Sequence, residues 1–138
     1  MKILGLDYGS KRIGLSISVP FMGMAVGYDV IDMNDSLLNN IKEIVIKEEI
    51  GSVVIGLPKR MDNTLGQSAQ EVVKFADELK KNLDIPVILW DERLTSKQAE
   101  MLLRDVNISH KDKRRQINVT SAQLMLQSYL DAQKKSVE

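Results

Sequence analysis

The spacing of apolar and polar positions changes character along the chain, and each change marks an expected element. Residues Lys2 to Asp7 and Arg12 to Ser18 are two short β-rich runs separated by Tyr8-Gly9-Ser10-Lys11. Gly9 and Ser10 suit a turn, so the pair reads as a hairpin. A third strand is expected over Ala25 to Ile31, after the turn Pro20 to Gly23, which makes the first three elements antiparallel. The period then lengthens. Leu37, Ile41, Ile44 and Glu48 mark one helical track, with Leu38 and Val45 beside it and Gly51 as its expected stop. Ser52 to Pro58 is a continuous apolar run of the kind a fully buried parallel strand shows. Ala69, Val72, Val73, Ala76, Leu79 and Leu83 trace a second amphipathic helix, and Pro86 to Trp90 gives a fifth strand.

After the fifth strand the pattern predicts a helix over Ser96 to Val106, then a polar basic loop, Asn107 to Gln116, then a last helix with Ala122, Met125, Leu126 and Tyr129 on one side. The tail from Lys134 is expected to fray. An antiparallel meander followed by helix-connected strands implies an α/β fold with a mixed sheet, because right-handed crossovers set the later strands parallel to the first. Trp90 and the methionines Met101 and Met125 read as core, while Met22 and Met24 read as part of a loop.

Composition adds limits to this outline. A chain of 138 residues with 43% apolar and 28% charged residues has the balance of one globular domain over 1–138. Lysine plus arginine and aspartate plus glutamate each number 19, so no global field recruits nucleic acid or membrane, and any polyanion site must be local. The absence of cysteine excludes disulfides and thiolate chemistry. No run reaches the roughly 20 apolar residues of a membrane span and the first residues read as a strand, so the expected location is cytoplasmic with no membrane partner.

The acidic residues at strand ends carry the chemistry. In open sheets with parallel strands, ligand sites lie beyond the carboxyl ends of those strands. The first strand ends at Asp7, the fourth near Lys59, Arg60 and Asn63, and the fifth at Asp91 and Glu92, so three parallel strands would bring Asp7, Asp91 and Glu92 to one edge. Clustered carboxylates resist ionising together unless a cation neutralises them. A hard divalent ion, Mg2+ or Mn2+, suits one or two carboxylates and keeps waters for an attack on phosphorus. The alternative for Asp7 is a turn-forming aspartate bonded to a backbone amide. Asp91 and Glu92 have the alternative of a solvated strand end. Gly5, Gly9 and Gly14 together with Asp7 suggest a backbone that a ligand approaches closely.

Basic residues fall in three places: Lys11 and Arg12, Lys59 and Arg60, and the stretch His110 to Arg115 that includes Lys113, Arg114 and Arg115. Such residues give sequence-independent, salt-sensitive contacts to a phosphate backbone. Asn63 can bond a phosphate or a sugar hydroxyl. Few aromatics lie near these patches, which disfavours binding by base stacking.

The blocks "ILGLDYGSKRIGLSIS", "VVIGLPKRMDNTLG", "PVILWDERLTSKQAE" and "INVTSAQLMLQSYLD" resemble the YqgF family of Holliday junction resolvases, also described as pre-16S rRNA nucleases. The resemblance covers nearly the whole chain. It implies a ribonuclease H-like mixed sheet of five strands, three antiparallel then two parallel, flanked by helices. It also implies metal-dependent nuclease action on pre-16S rRNA or branched DNA, and a homodimer, since junction resolvases generally work as dimers. Asp7 matches the family's first metal ligand and Glu92 its second acidic position, with Asp91 beside it. The third acidic position falls at Asn118, a departure that removes a formal charge from the metal site. Asparagine still offers a carbonyl oxygen, and it is also a good helix N-cap. A chain that binds RNA in ribosome assembly without cutting it is the alternative this residue opens. The opening motif is also similar to the phosphate loop of actin-like and sugar-kinase ATPases, which need two such domains; 138 residues leave no room for the second.

Overall fold

The computed structural model describes residues 1–58, 67–92 and 110–137. Five strands and three helices follow in the order β1 (Lys2–Tyr8), β2 (Arg12–Val19), β3 (Met24–Asp32), α1 (Leu37–Lys47), β4 (Ile50–Pro58), α2 (Gln67–Asn82), β5 (Val87–Glu92) and α3 (His110–Val137). The strands form one sheet in the order β3-β2-β1-β4-β5. β1 pairs antiparallel with β2, and β2 antiparallel with β3, whereas β1 with β4 and β4 with β5 are parallel. This is the expected mixed sheet. The helix expected over Ser96 to Val106 lies outside the described residues.

Strand alternation divides the interior into two layers. Leu4 and Leu6 of β1, Val53 and Ile55 of β4 and Val87 of β5 pack with Leu37 and Ile41 of α1 and with Val72, Phe75, Ala76 and Leu79 of α2. The opposite parity, with Ile3, Val54, Ile88 and Trp90, packs on Met125 and Leu126 of α3. Helices on both faces explain why β2 is buried at six consecutive positions, Ile13 to Ser18, instead of alternating. Trp90 is part of the second layer, as expected. Its indole N–H donates to Ser128 Oγ at 3.2 Å and its ring meets Tyr129 edge-on.

Several sequence expectations are corrected. The helical track from Leu37 ends at Lys47, and Glu49 takes the left-handed turn at φ 55° that Gly51 was expected to supply; Gly51 instead lies inside β4. Met24 opens β3 and does not belong to a loop. The stretch from His110 to Gln116 is not a loop but the first two turns of α3, and the same helix runs on through the tail to Val137. At 28 residues α3 is about 42 Å long. Lysine, arginine and glutamine are good helix formers, so the composition of that stretch never opposed a helix.

One polar cluster ties the end of α1 to the sheet. Glu48 accepts from Lys2 Nζ at 3.2 Å through one carboxylate oxygen and from the Tyr28 hydroxyl at 3.1 Å through the other. Those two bonds, Lys2 first, hold the Glu48 carboxyl below its ordinary value of 4.5. A depressed carboxylate pKa stabilises the fold above the unfolded-state value and loses that contribution as pH falls through the folded one. Glu48→Gln is therefore expected to lower the urea midpoint at pH 7, with the gap to the native chain closing as pH falls below about 4.5. A gap that stays constant down to pH 3 would show that the carboxylate charge contributes nothing.

Candidate active site

Asp7 is the penultimate residue of β1, the central strand, and its Cα pairs with Gly14 of β2. Gly5 and Ile3, two and four residues back, contact the α3 side, whereas Leu4 and Leu6 face α1 and α2. Asp7 thus belongs to the face that α3 covers.

What brings α3 to that point is a set of small residues. A Cβ on Gly14 would lie 2.1 Å from the carbonyl oxygen of Asn118 and 2.7 Å from its carbonyl carbon. A Cβ on Gly27 of β3 would lie 2.3 Å from a Val119 methyl, and one on Gly5 would meet Leu126 Cβ at 3.0 Å. Ser16 fills the middle, its buried hydroxyl donating to the Ala122 carbonyl at 2.8 Å. The sequence suggested that Gly5 and Gly14 admit a ligand; at Gly14 the approaching group is α3, and at Gly5 it is the Ser16 hydroxyl together with α3. Gly9 has a different reason, since a Cβ there would lie 2.5 Å from the Arg12 carbonyl that closes the β1–β2 turn.

Asn118 is consequently fixed over the residue paired with Asp7. It is not an N-cap, because α3 begins eight residues earlier at His110. With Gly9, Ser10, Lys11 and Arg12 it lines a cavity of about 210 Å³ at the β1–β2 turn.

At the other side of the edge, β4 and β5 run parallel with Gly56 opposite Trp90, Leu57 opposite Asp91 and Pro58 opposite Glu92. Leu6 pairs with Ile55, so one further step sets Asp7 level with Gly56 and Trp90. Glu92 lies two strands across and two residues beyond, about 12 Å from Asp7 between Cα positions by strand spacing and rise. Asp91 falls on the other parity, with Val87 and Leu89 of the α1 and α2 layer, so it does not share the face of Asp7. Among the described residues no three Asp, Glu, His or Cys side chains cluster closely enough to hold a metal. Asp7, with Asn118 as a neutral neighbour, offers oxygen donors that suit a hard cation that retains waters.

The basic residues divide into held and unheld. Arg12 Nε lies 3.5 Å from Asp32 Oδ1, an exposed pair, and Arg115 is bonded to Asp29 on the same strand β3. Lys11, Lys113 and Arg114 make no ion pair with a described residue. Lys59, Arg60 and Asn63 lie outside the described residues. Sequence reasoning missed the glycine seat, because Gly14 and Gly27 do not show their α3 partners within their own segments.

The fold and this edge define a ribonuclease H-like domain. Solved resolvases of similar shape include the RuvC of Thermus thermophilus in complex with Holliday junction substrate, at TM-score 0.60 and 14% identity, covering 97% of this chain and 96% of that one. The Fowlpox virus resolvase in complex with Holliday junction DNA gives TM-score 0.58 at 11% identity, over 96% and 99% of the two chains. The RuvX family model, Holliday junction resolvase, matches residues 1–132. A Listeria innocua protein described as "Putative pre-16S rRNA nuclease" is 41% identical over 135 residues, 95% of this chain and 98% of its own. One of the same description from Caldanaerobacter subterraneus subsp. tengcongensis is 42% identical over 139 residues, 99% and 100% of the two. The chain belongs to the RuvX family, the YqgF family of the resemblance, and with it to the phosphodiester-cleaving nucleases.

Gly14→Ala tests the seat. Overpacking against a helix backbone is expected to cost about 1–3 kcal/mol in urea unfolding, more than Gly27→Ala, whose Cβ meets only a side-chain methyl. Equal costs at the two positions would show that the Asn118 backbone yields as easily as the Val119 side chain.

Proposed function

We propose that this chain is a metal-dependent nuclease that acts in the cytoplasm on the 5′ end of pre-16S rRNA, with Asp7 and Glu92 as its cation ligands. The observation that carries the reading is Asp7 itself: a carboxylate at the end of the central strand, on the face where α3 sets Asn118 over its paired residue. The full-length likeness to relatives described as pre-16S rRNA nucleases favours RNA over a four-way DNA junction as substrate.

A bound Mg2+ or Mn2+ supplies Lewis acidity for an attacking water and charge for the departing oxygen. The chain's own residues do the rest. Asp7 and Glu92 contribute carboxylates from the ends of β1 and β5, and Lys11, Lys113 and Arg114, which make no ion pair with a described residue, supply cations for the flanking phosphates. Arg12 and Arg115 reach a phosphate only by sharing or leaving their aspartates. Asn118 is neutral where the family pattern has a carboxylate. A charge pair at about 4 Å is worth roughly 4 kcal/mol at an effective dielectric of 20, so the native chain is expected to hold its cation weakly. That same neutrality favours a second reading, an RNA-binding assembly factor that does not cut.

Cleavage of a short 16S precursor and of a four-way DNA junction with Mn2+ separates these. Asp7→Asn is expected to lower the rate by up to about a thousandfold, and Asn118→Asp to raise it at limiting Mn2+. If only Asn118→Asp cuts, the native chain is the binding factor. If no variant cuts either substrate, the nuclease reading falls.

A further inference from the structure

The cavity at the β1–β2 turn differs in chemistry from the carboxylate edge beside it. Its described lining residues, Gly9, Ser10, Lys11, Arg12 and Asn118, include a hydroxyl, an ammonium, a guanidinium and an amide, and no carboxylate among the described residues. Every polar side chain among them is able to donate a hydrogen bond.

The frame is fixed on three sides. The Gly9 N–H donates to the Arg12 carbonyl at 2.9 Å and closes the turn, while the Met33 N–H donates to the Lys11 carbonyl at 2.9 Å and holds the turn against the end of β3. Asn118 is set by its carbonyl against Gly14. Arg12 uses Nε for Asp32, which leaves its two terminal amino groups outside that pair. Among the described residues, Asp32 is engaged by Arg12, Asp29 by Arg115, and Asp7 stands on the neighbouring strand at the position paired with Gly14.

We infer that this cavity is a subsite for one phosphodiester group of a nucleic-acid strand, and that Asn118 serves it as a neutral hydrogen-bond donor, not as a cation ligand. A carboxylate at 118 would turn an acceptor and a negative charge toward the anion; the amide offers N–H. A strand held here places its neighbouring phosphate beside Asp7. The inference rests on the nuclease reading only for the kind of polymer that supplies the diester.

The test is an NMR titration of the full-length 15N-labelled chain, metal-free and at low salt, with the hydroxyl-terminated RNA trinucleotide UpUpU, whose only phosphates are diesters. Expected are shifts at the amides of Gly9, Ser10 and Lys11 and at the Asn118 side-chain amide, with binding weakened about tenfold in Asn118→Asp and in Lys11→Ala. Lys11 is exposed, so its variant reports on binding even if a change at 118 disturbs α3. Unchanged affinity in both variants overturns the inference. So does a loss of Mn2+ affinity in Asn118→Ala as large as that in Asp7→Asn, which marks a cation ligand at 118. Shifts produced by inorganic phosphate and not by UpUpU overturn the diester assignment in favour of free phosphate. Because nothing is cleaved in this experiment, a chain that binds UpUpU here and never cuts RNA keeps the subsite and loses the nuclease reading. A chain that cuts while Asn118→Asp and Lys11→Ala leave binding unchanged does the reverse.

Discussion

The close approach of α3 to β1, β2 and β3 is the contact on which the site depends. A helix normally stands off a sheet by the thickness of its side chains, yet here a helix carbonyl rests against the Cα of Gly14. Removing side chains from the sheet gives up apolar burial at Gly5, Gly14 and Gly27, and that loss is offset elsewhere. Met125 and Leu126 pack fully buried against Val54, and the buried Ser16 hydroxyl finds its acceptor in the Ala122 carbonyl of the helix. The result is that a residue of α3 reaches the plane of Asp7, which a helix at the usual distance would not allow.

The same helix deals with the sheet's exposed edge. β3 is a border strand, and border strands offer unpaired backbone groups to other chains. Gln127 accepts from the Ala25 N–H at 2.9 Å and donates to the Gly23 carbonyl at 3.0 Å, and Gln123 donates to the Ala25 carbonyl at 3.2 Å. Two glutamines one turn apart therefore stand in for a neighbouring strand over Gly23 to Ala25. Seating the helix and capping the edge are one arrangement, since both require α3 to lie low over β2 and β3.

Much of the fold was legible because its signals are local. Periodicity located every described strand and helix to within a few residues, except the start and end of α3, and the parallel placement of β1, β4 and β5 followed from chain crossing rules. Asp7 could be singled out from its place at a strand end alone. The misread residues are those whose partners lie far along the chain. Gly14 and Asn118 are about a hundred positions apart, as are Ser16 and Ala122, and no spacing within either segment shows that they touch. Arg115 reads as an unheld cation until β3 supplies Asp29 from 86 residues away. Asn118 suits a helix cap by type, and only the earlier start of α3 removes that role.

The ion pairs on β3 bear on how a chain with no net charge can hold a polyanion. Exposed pairs such as Arg12 with Asp32 contribute little to stability, commonly under about 1 kcal/mol, so their presence is poorly explained by folding alone. Their effect on the local field is larger. Two of the five described cations near the edge are matched by aspartates on one strand, which confines the unmatched positive charge to Lys11 on the turn and to Lys113 and Arg114 on the first turns of α3. A helix whose opening turns carry cations works against its own dipole, and an anion bound there relieves that conflict. Lys11 lines the same cavity as Asn118 at the turn that joins β1 to β2, so this unmatched charge stands beside the end of the strand that carries Asp7, while the aspartates of β3 are already engaged by Arg12 and Arg115.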